Sequence, residues 1–181
     1  MSSSEPLPQP LPQRRRLGRA LASLAACFAV SGCFQPLYGP LSAGGDVAGE
    51  LQAIAIDPIP ERLGHYLVNE LIFDLNGTGS HVPPRYRLTI RLRENVQTPL
   101  IDTVTGYPTA GSVVVNAEYR LVPVGGGEAV AKGSAIVVAS YDRTSQRFAD
   151  IRAARDAEIR DAKTLAHQIR DRIAAALAAR G

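Results

Sequence analysis

The stretch Arg85–Arg93 constrains the fold more than any other part of this chain. Tyr86, Leu88, Ile90 and Leu92 alternate there with Arg85, Arg87, Thr89, Arg91 and Arg93. A period of two is the pattern of a β-strand, whose successive side chains point to opposite faces of a sheet. One face of this strand needs apolar cover, and the other carries four guanidinium groups. A sheet covered on one side only is the two-layer arrangement of α+β proteins.

The neighbouring segments supply the cover and the other strands. Leu51–Ile59 reads as a short strand ended by Pro58 and Pro60. Glu61–Leu75 reads as a helix, with Leu63, Leu67, Leu71 and Leu75 recurring every four residues and Val68 and Ile72 widening the stripe. Asn76-Gly77 is expected to end it with a left-handed cap. A loop is expected around Pro99–Pro108. Val113–Val122 and Ala129–Tyr141 then read as strands joined by a Gly125-Gly126-Gly127 turn. One long helix, Gln146–Arg180, closes the chain. Thr144 or Ser145 is its expected cap. Its buried stripe is read as Phe148, Ile151, Ala162, Leu165, Ile169, Ile173 and Leu177. Asp156 and Arg160 have the favourable acid-before-base spacing, and Lys163, Arg170, Arg172 and Arg180 suit the negative end of the helix dipole. The expected order is β-α-β-β-β-α: a four-stranded sheet with two helices on one face.

The amino terminus reads as an export signal. Residues 1–13 are polar and proline-rich, Arg14–Arg19 is a positive segment, and Leu17–Val30 is mostly apolar. That apolar run is too short to span a bilayer comfortably. It ends in Val30-Ser31-Gly32-Cys33, which resembles a lipobox: an aliphatic residue, two small ones, then cysteine. Small residues let the scissile peptide enter a narrow protease site, and the Cys33 thiol accepts a diacylglycerol. Two or three acyl chains hold a protein far more firmly than one, at about 0.8 kcal/mol per buried methylene. Arg14-Arg15-Arg16 raises a twin-arginine signal, but its flanks fit that pattern poorly. The organisation expected is thus an extension and signal peptide over 1–32, a lipidated tether over 33–50 that is glycine-rich from residue 39, and an α+β domain over 51–181.

Cleavage before Cys33 also disposes of the net charge of +3. The leader takes four of the 20 basic residues and one of the 17 acidic ones, which leaves 16 of each. The mature chain has no overall basic footprint, so nucleic acid is not an expected partner. Cys27 leaves with the leader and Cys33 is acylated, so neither a disulfide nor a nucleophilic thiol is expected.

Catalytic patterns are missing from the sequence. His65, His81 and His167 stand far apart, without metal-ligand spacing. There is no Gly-x-Ser-x-Gly elbow, and the Gly125–Gly127 run lacks the Lys-Ser/Thr of a phosphate loop. No cofactor is expected beyond the covalent lipid on Cys33.

At Cys33–Gly39 the chain reads C-F-Q-P-L-Y-G. An aromatic residue and P-L-Y-G directly after a lipidated cysteine resemble the LPS-assembly lipoproteins, the LptE family, in their alphaproteobacterial form. The stretches Ser140-Tyr141-Asp142 through Phe148-Ala149, and Ala154-Arg155-Asp156-Ala157-Glu158, are similar to that family too, as is the element order. At Phe34-Gln35 the chain departs from the Gly-Phe that many relatives carry. The resemblance implies a non-enzymatic subunit that plugs an outer-membrane β-barrel LPS translocon, helps that barrel fold, binds lipopolysaccharide and aids its delivery to the outer leaflet. It implies a lipid anchor on the periplasmic side of the outer membrane. Phe34, standing where an aspartate would favour inner-membrane retention, agrees with that placement.

Arg85, Arg87, Arg91 and Arg93 are the candidate ligand or partner contacts, since guanidinium forks suit phosphates and carboxylates. The plainer reading is a solvated outer sheet face with Glu118 opposite. Val114, Val122, Ile136 and Val138 fall on that same face by alternation, which favours a covered surface. A different class of function, an adaptor lipoprotein of an inner-membrane lipid transporter, fits the same leader and the same domain.

Overall fold

The computed structural model describes residues 46–77, 79, 82–101, 103–104, 106 and 108–180. The leader, Cys33, the segment through Gly39 and His81 lie outside the described residues.

The order is α1 (Val47–Gln52), β1 (Ile54–Ile56), α2 (Glu61–Asn76), β2 (Tyr86–Ile101), β3 (Pro108–Pro123), β4 (Ala131–Asp142) and α3 (Arg147–Ala178). The strands form one sheet in the order β1-β2-β3-β4. β1 runs parallel to β2, and the other pairs are antiparallel. The class is α+β, as the alternation in β2 required. β1 and β2 are parallel, so the chain must cross between them over the sheet, and α2 is that crossover.

The leucine stripe of α2 is buried as its spacing requires: Leu63, Leu67, Leu71 and Leu75 all face the core. The later part of α3 buries Ala162, Leu165, Ile169, Ile173 and Leu177. Both helices lie over the inward residues of the sheet, among them Leu88, Ile90, Val115, Tyr119, Leu121 and Val137. Each fully buried Leu, Ile or Val contributes about 1.5–3 kcal/mol of transfer free energy. Gly64 lets Ile59 press onto the first turn of α2. A Cβ at residue 64 would stand 2.7 Å from Ile59 Cγ2 and 2.8 Å from its carbonyl oxygen.

Two tyrosine–glycine pairs fill out the β3–β4 ladder. Tyr119 is the cross-strand partner of Gly133, and Tyr141 that of Gly111. Each ring lies over its glycine, taking the space a side chain would fill. The outer edge of β4 is covered by α3. Arg160 Nη2 donates to the Ser140 carbonyl at 2.9 Å, and Arg172 Nη1 to the Ser134 carbonyl at 2.5 Å. Side chains thus occupy backbone acceptors that would otherwise template another strand.

Several expectations are corrected. α1 occupies the end of the stretch read as a tether and the start of the strand read as Leu51–Ile59, so β1 is only three residues long. Asp46 Oδ1 accepts the Gly49 N–H at 2.9 Å and caps α1. β2 and β3 run past the expected strand bounds, to Ile101 and from Pro108, and make a long hairpin whose connection falls within the loop expected around Pro99–Pro108. Gly77 is right-handed, and the left-handed glycine is Gly79, at φ +67°. Ile72 is exposed on the outward side of a turn whose Leu71 and Leu75 are buried, and Phe148 and Ile151 are exposed because the first turns of α3, before Ala157, bury nothing. The N-cap of α3 is Gln146, without a side-chain cap bond. Thr144 Oγ1 instead accepts the Gln146 N–H at 3.2 Å, while Asp150 Oδ1 accepts the Thr144 N–H at 2.7 Å. Lys163, Arg170 and Arg172 serve cross-element contacts rather than the helix end. Lys163 pairs with Glu70 at 3.9 Å, Arg170 with Asp74 at 4.0 Å, and Arg172 reaches β4. The last turn of α3 has no basic residue. Asp156 and Arg160 do pair, at 2.9 Å.

Candidate functional site

The candidate site is the sheet face that the helices leave open. Alternation within each strand decides which side chains lie there, and the register decides which of them stand together. In β2 the open-face residues are Arg87, Thr89, Arg91 and Arg93. Across the ladder, Arg87 faces Val122, Thr89 faces Arg120, Arg91 faces Glu118 and Arg93 faces Asn116. One strand further, Arg120 faces Lys132, Glu118 faces Ser134, Asn116 faces Ile136 and Val114 faces Val138.

The four sequence-predicted arginines therefore divide. Arg85 precedes β2 and is drawn toward α1, where Nη1 stands 3.6 Å from Glu50 and the guanidinium lies 5.9 Å from the centre of the Tyr86 ring. Arg87 has Asp57 at 3.9 Å, and the Thr89 hydroxyl donates to the same carboxylate at 2.8 Å. Arg91 and Arg93 lie further along the exposed face. Register adds Arg120 and Lys132, which the reading of β2 alone did not select. These two like charges are cross-strand partners, an arrangement that costs stability unless an anion neutralises it.

Thr89, Arg91, Glu118, Arg120, Lys132 and Ser134 surround a shallow depression of about 630 Å³, open to solvent. It offers guanidinium and ammonium donors beside hydroxyls, with Glu118 as the acid among them. Next to it, Val114, Ile136 and Val138 form an apolar band; Ile136 is 62% and Val138 58% exposed. Beyond that band the hydroxyls of Ser112 and Ser140 share a hydrogen bond at 2.9 Å. The face is thus amphiphilic, cationic at one end and aliphatic in the middle. The apolar residues lie on the open side as alternation implied.

Ionisable groups also cluster on the helix side. Arg62 of α2 binds Glu158 of α3 through two hydrogen bonds, Nε at 2.8 Å and Nη2 at 2.5 Å. The paired carboxylate raises the Arg62 pKa. Glu94 of β2 is raised by desolvation and by the Glu158 charge. Asp161, 2% exposed, is raised to about 6, chiefly by burial. Its Oδ2 has no hydrogen-bond partner among the described residues. Sequence spacing carried no signal for this group, because its members come from three elements. Among the described residues no set of three His, Cys, Asp or Glu side chains is placed to hold a metal ion, and no helix is long and apolar enough to cross a membrane. His65 is exposed, and His167 Nδ1 lies 2.9 Å from Asp74.

The fold has known counterparts. Residues 51–173 match the family model described as LptE, lipopolysaccharide-assembly. A protein from Caulobacter crescentus CB15 described as a lipoprotein superposes with a TM-score of 0.61 at 24% identity, over 73% of this chain and 96% of that one. The minor lipoprotein of Acinetobacter baumannii superposes with a TM-score of 0.51 at 15% identity, over 67% of this chain and 88% of that one. These two likenesses establish the shared fold. No curated protein matches the chain.

Proposed function

We propose a function from one premise: this chain belongs to the LptE, lipopolysaccharide-assembly family. It is accordingly a lipopolysaccharide-assembly protein of the cell envelope. Our finer reading is a lipoprotein acylated at Cys33 and held on the periplasmic side of the outer membrane. There it assembles with and plugs a β-barrel LPS translocon, helps that barrel fold and aids delivery of lipopolysaccharide to the outer leaflet. The role is binding and assembly, with no catalysis and no cofactor beyond the lipid on Cys33.

One observation carries this reading: the open face sets a cationic cluster beside an aliphatic band. Lipopolysaccharide has the matching chemistry, with anionic phosphates next to acyl chains. Arg91, Arg93, Arg120 and Lys132 would meet the anionic groups, and Val114, Ile136 and Val138 the apolar surface. Guanidinium–phosphate contacts are charge-assisted and gain strength where water is excluded. Arg87 is the weaker candidate because Asp57 already stands beside it, and Arg85 is the weakest because Glu50 holds it off the face.

The partner test is a mild-detergent purification of the full-length lipoprotein tagged at Gly181, with mass spectrometry of what accompanies it. Recovery of a stoichiometric outer-membrane β-barrel is the expected result. Inner-membrane transport components without a barrel would overturn the plug reading in favour of the adaptor. For the face, Arg87, Arg91, Arg93, Arg120 and Lys132 are changed together to serine. Loss of lipopolysaccharide binding is expected, and unchanged binding together with unchanged barrel association would remove this face from the mechanism.

A further inference from the structure

The two edges of the sheet are treated differently. α3 arginines cover the β4 edge at the Ser134 and Ser140 carbonyls. Among the described residues the β2 edge is shielded only at its beginning, where β1 pairs with Tyr86–Leu88. Among the described residues the last backbone bond on that side runs from the Asp57 N–H to the Leu88 carbonyl at 2.9 Å. Leu88 therefore points its backbone groups away from β3, and by alternation Ile90, Leu92, Glu94 and Val96 do the same. Among the described residues none of these four backbones has a hydrogen bond on the outer side. The regular ladder continues to Gln97, where the register shifts. The bare stretch is about seven residues, roughly 20 Å, the length of an ordinary strand. Folded proteins seldom leave such an edge uncovered.

We propose that the β2 edge from Ile90 to Val96 is a strand-addition site for an extended segment of another protein, with acidic residues alternating with apolar ones. The side-chain pattern beside the edge selects that occupant. Asp57, the residue immediately after β1, shows what an added strand meets on the open face: it lies next to Arg87 and Thr89. Past Asp57 the same row continues with Arg91 and Arg93, and no acid stands on the outer side of either among the described residues. An incoming strand with acids on that face extends the pattern. On the opposite face it lies beside Leu92, Glu94 and Val96, where apolar residues suit Leu92 and the half-exposed Val96. A second copy of this chain is the wrong occupant. Edge-to-edge pairing of two β2 strands would set the Arg91 and Arg93 rows of both copies side by side, and like charges in cross-strand contact repel. Main-chain hydrogen bonds would supply the affinity, and the alternate side chains the selectivity. The edge adjoins the face proposed for lipopolysaccharide without depending on it, so failure of that reading leaves this one standing.

The test uses the full-length lipoprotein in detergent and two synthetic peptides of about eight residues. One alternates Asp with Val, and the other alternates Lys with Val. Binding is read by fluorescence anisotropy of labelled peptide, and amide hydrogen exchange is measured with and without it. The Asp peptide is expected to bind at least roughly tenfold tighter than the Lys peptide, and to slow exchange at Leu92, Glu94 and Val96. The amides of Arg91, Arg93 and Asn95, already bonded to β3, should not change. Val96→Pro removes an outward N–H and should abolish binding. Arg91→Glu with Arg93→Glu should reverse the peptide preference, a result that does not depend on how the proline variant folds. Equal binding of the two peptides, or no added protection at the outward amides, would overturn the proposal. So would a dimer, seen by sedimentation equilibrium, that Val96→Pro dissolves, because it would identify the occupant as a second copy.

Discussion

Replacing Asp161 by asparagine should stabilise this protein, and should do so more at neutral than at acid pH. Asp161 is almost fully buried, its Oδ2 has no partner among the described residues, and its pKa stands at about 6 against an ordinary value of 3.8. Burial is the main cause, and the neighbouring Glu94 charge adds to it; a backbone hydrogen bond at Ala139 and the Arg160 charge oppose it. A carboxyl whose pKa is higher in the folded state than in the unfolded one holds its proton longer when folded. At pH values below the unfolded pKa both states are protonated and the group costs nothing. As pH rises from 3.8 toward 6 the unfolded chain ionises first, and the native state loses stability across that window. Above it the loss is complete. The rise from 3.8 to about 6 corresponds to about 3 kcal/mol. Asparagine keeps the size and carries no charge, so most of that loss should vanish. The assay is urea unfolding of wild type and Asp161→Asn at several pH values between about 4 and about 7.5, read as the midpoint at constant slope. The two proteins should be nearly matched at the acid end and differ by up to about 3 kcal/mol at the neutral end. A difference that does not vary with pH would refute this reasoning, as would a variant less stable than wild type at neutral pH.

Other residues give equally direct tests. Arg62→Met strands the Glu158 carboxylate, only 5% exposed, without its two hydrogen bonds. It should cost about 3–5 kcal/mol in urea unfolding near neutral pH. Leu67→Ala removes a side chain with no exposed surface and should cost about 2–5 kcal/mol by the same measurement. Gly64→Ala forces a methyl against the Ile59 carbonyl and should cost about 1–3 kcal/mol, seen as a lower thermal midpoint. Arg120→Ser with Lys132→Ser removes a facing pair of like charges, so stability should hold or rise by about 0.2–1 kcal/mol while binding to lipopolysaccharide micelles weakens. A salt titration should show a shallower dependence for this double variant than for wild type.

Periodicity within single elements made a large part of this molecule legible. A period of two in Arg85–Arg93 assigns the faces of β2 with no knowledge of any other residue, because the pleat alone decides which way each side chain points. Leu63, Leu67, Leu71 and Leu75 likewise define the buried stripe of α2, through the pitch of one helix. Where the same reasoning failed, a longer-range cause prevailed. Phe148 and Ile151 carry the right spacing for burial but lie on the first turns of α3, which bury nothing. α1 is too short to give a periodic signal and owes its start to one Asp46 bond. Gly77 has the residue type of a left-handed cap, yet the chain turns two residues later.

The sequence by itself determined which residues share a face, since that depends only on torsions and spacing along one segment. Tertiary structure alone decided which faces meet. Pairing β3 with both β2 and β4 set Arg120 beside Lys132 and Arg91 beside Glu118, and α1 drew Arg85 away toward Glu50. Among the described residues a three-residue β1 covers only the start of the β2 edge, while α3 covers the edge of β4. The physical reason is that register and edge cover depend on contacts between residues far apart in the chain. No local repeat encodes those contacts, and a shift of one residue would have turned the cationic face into the core.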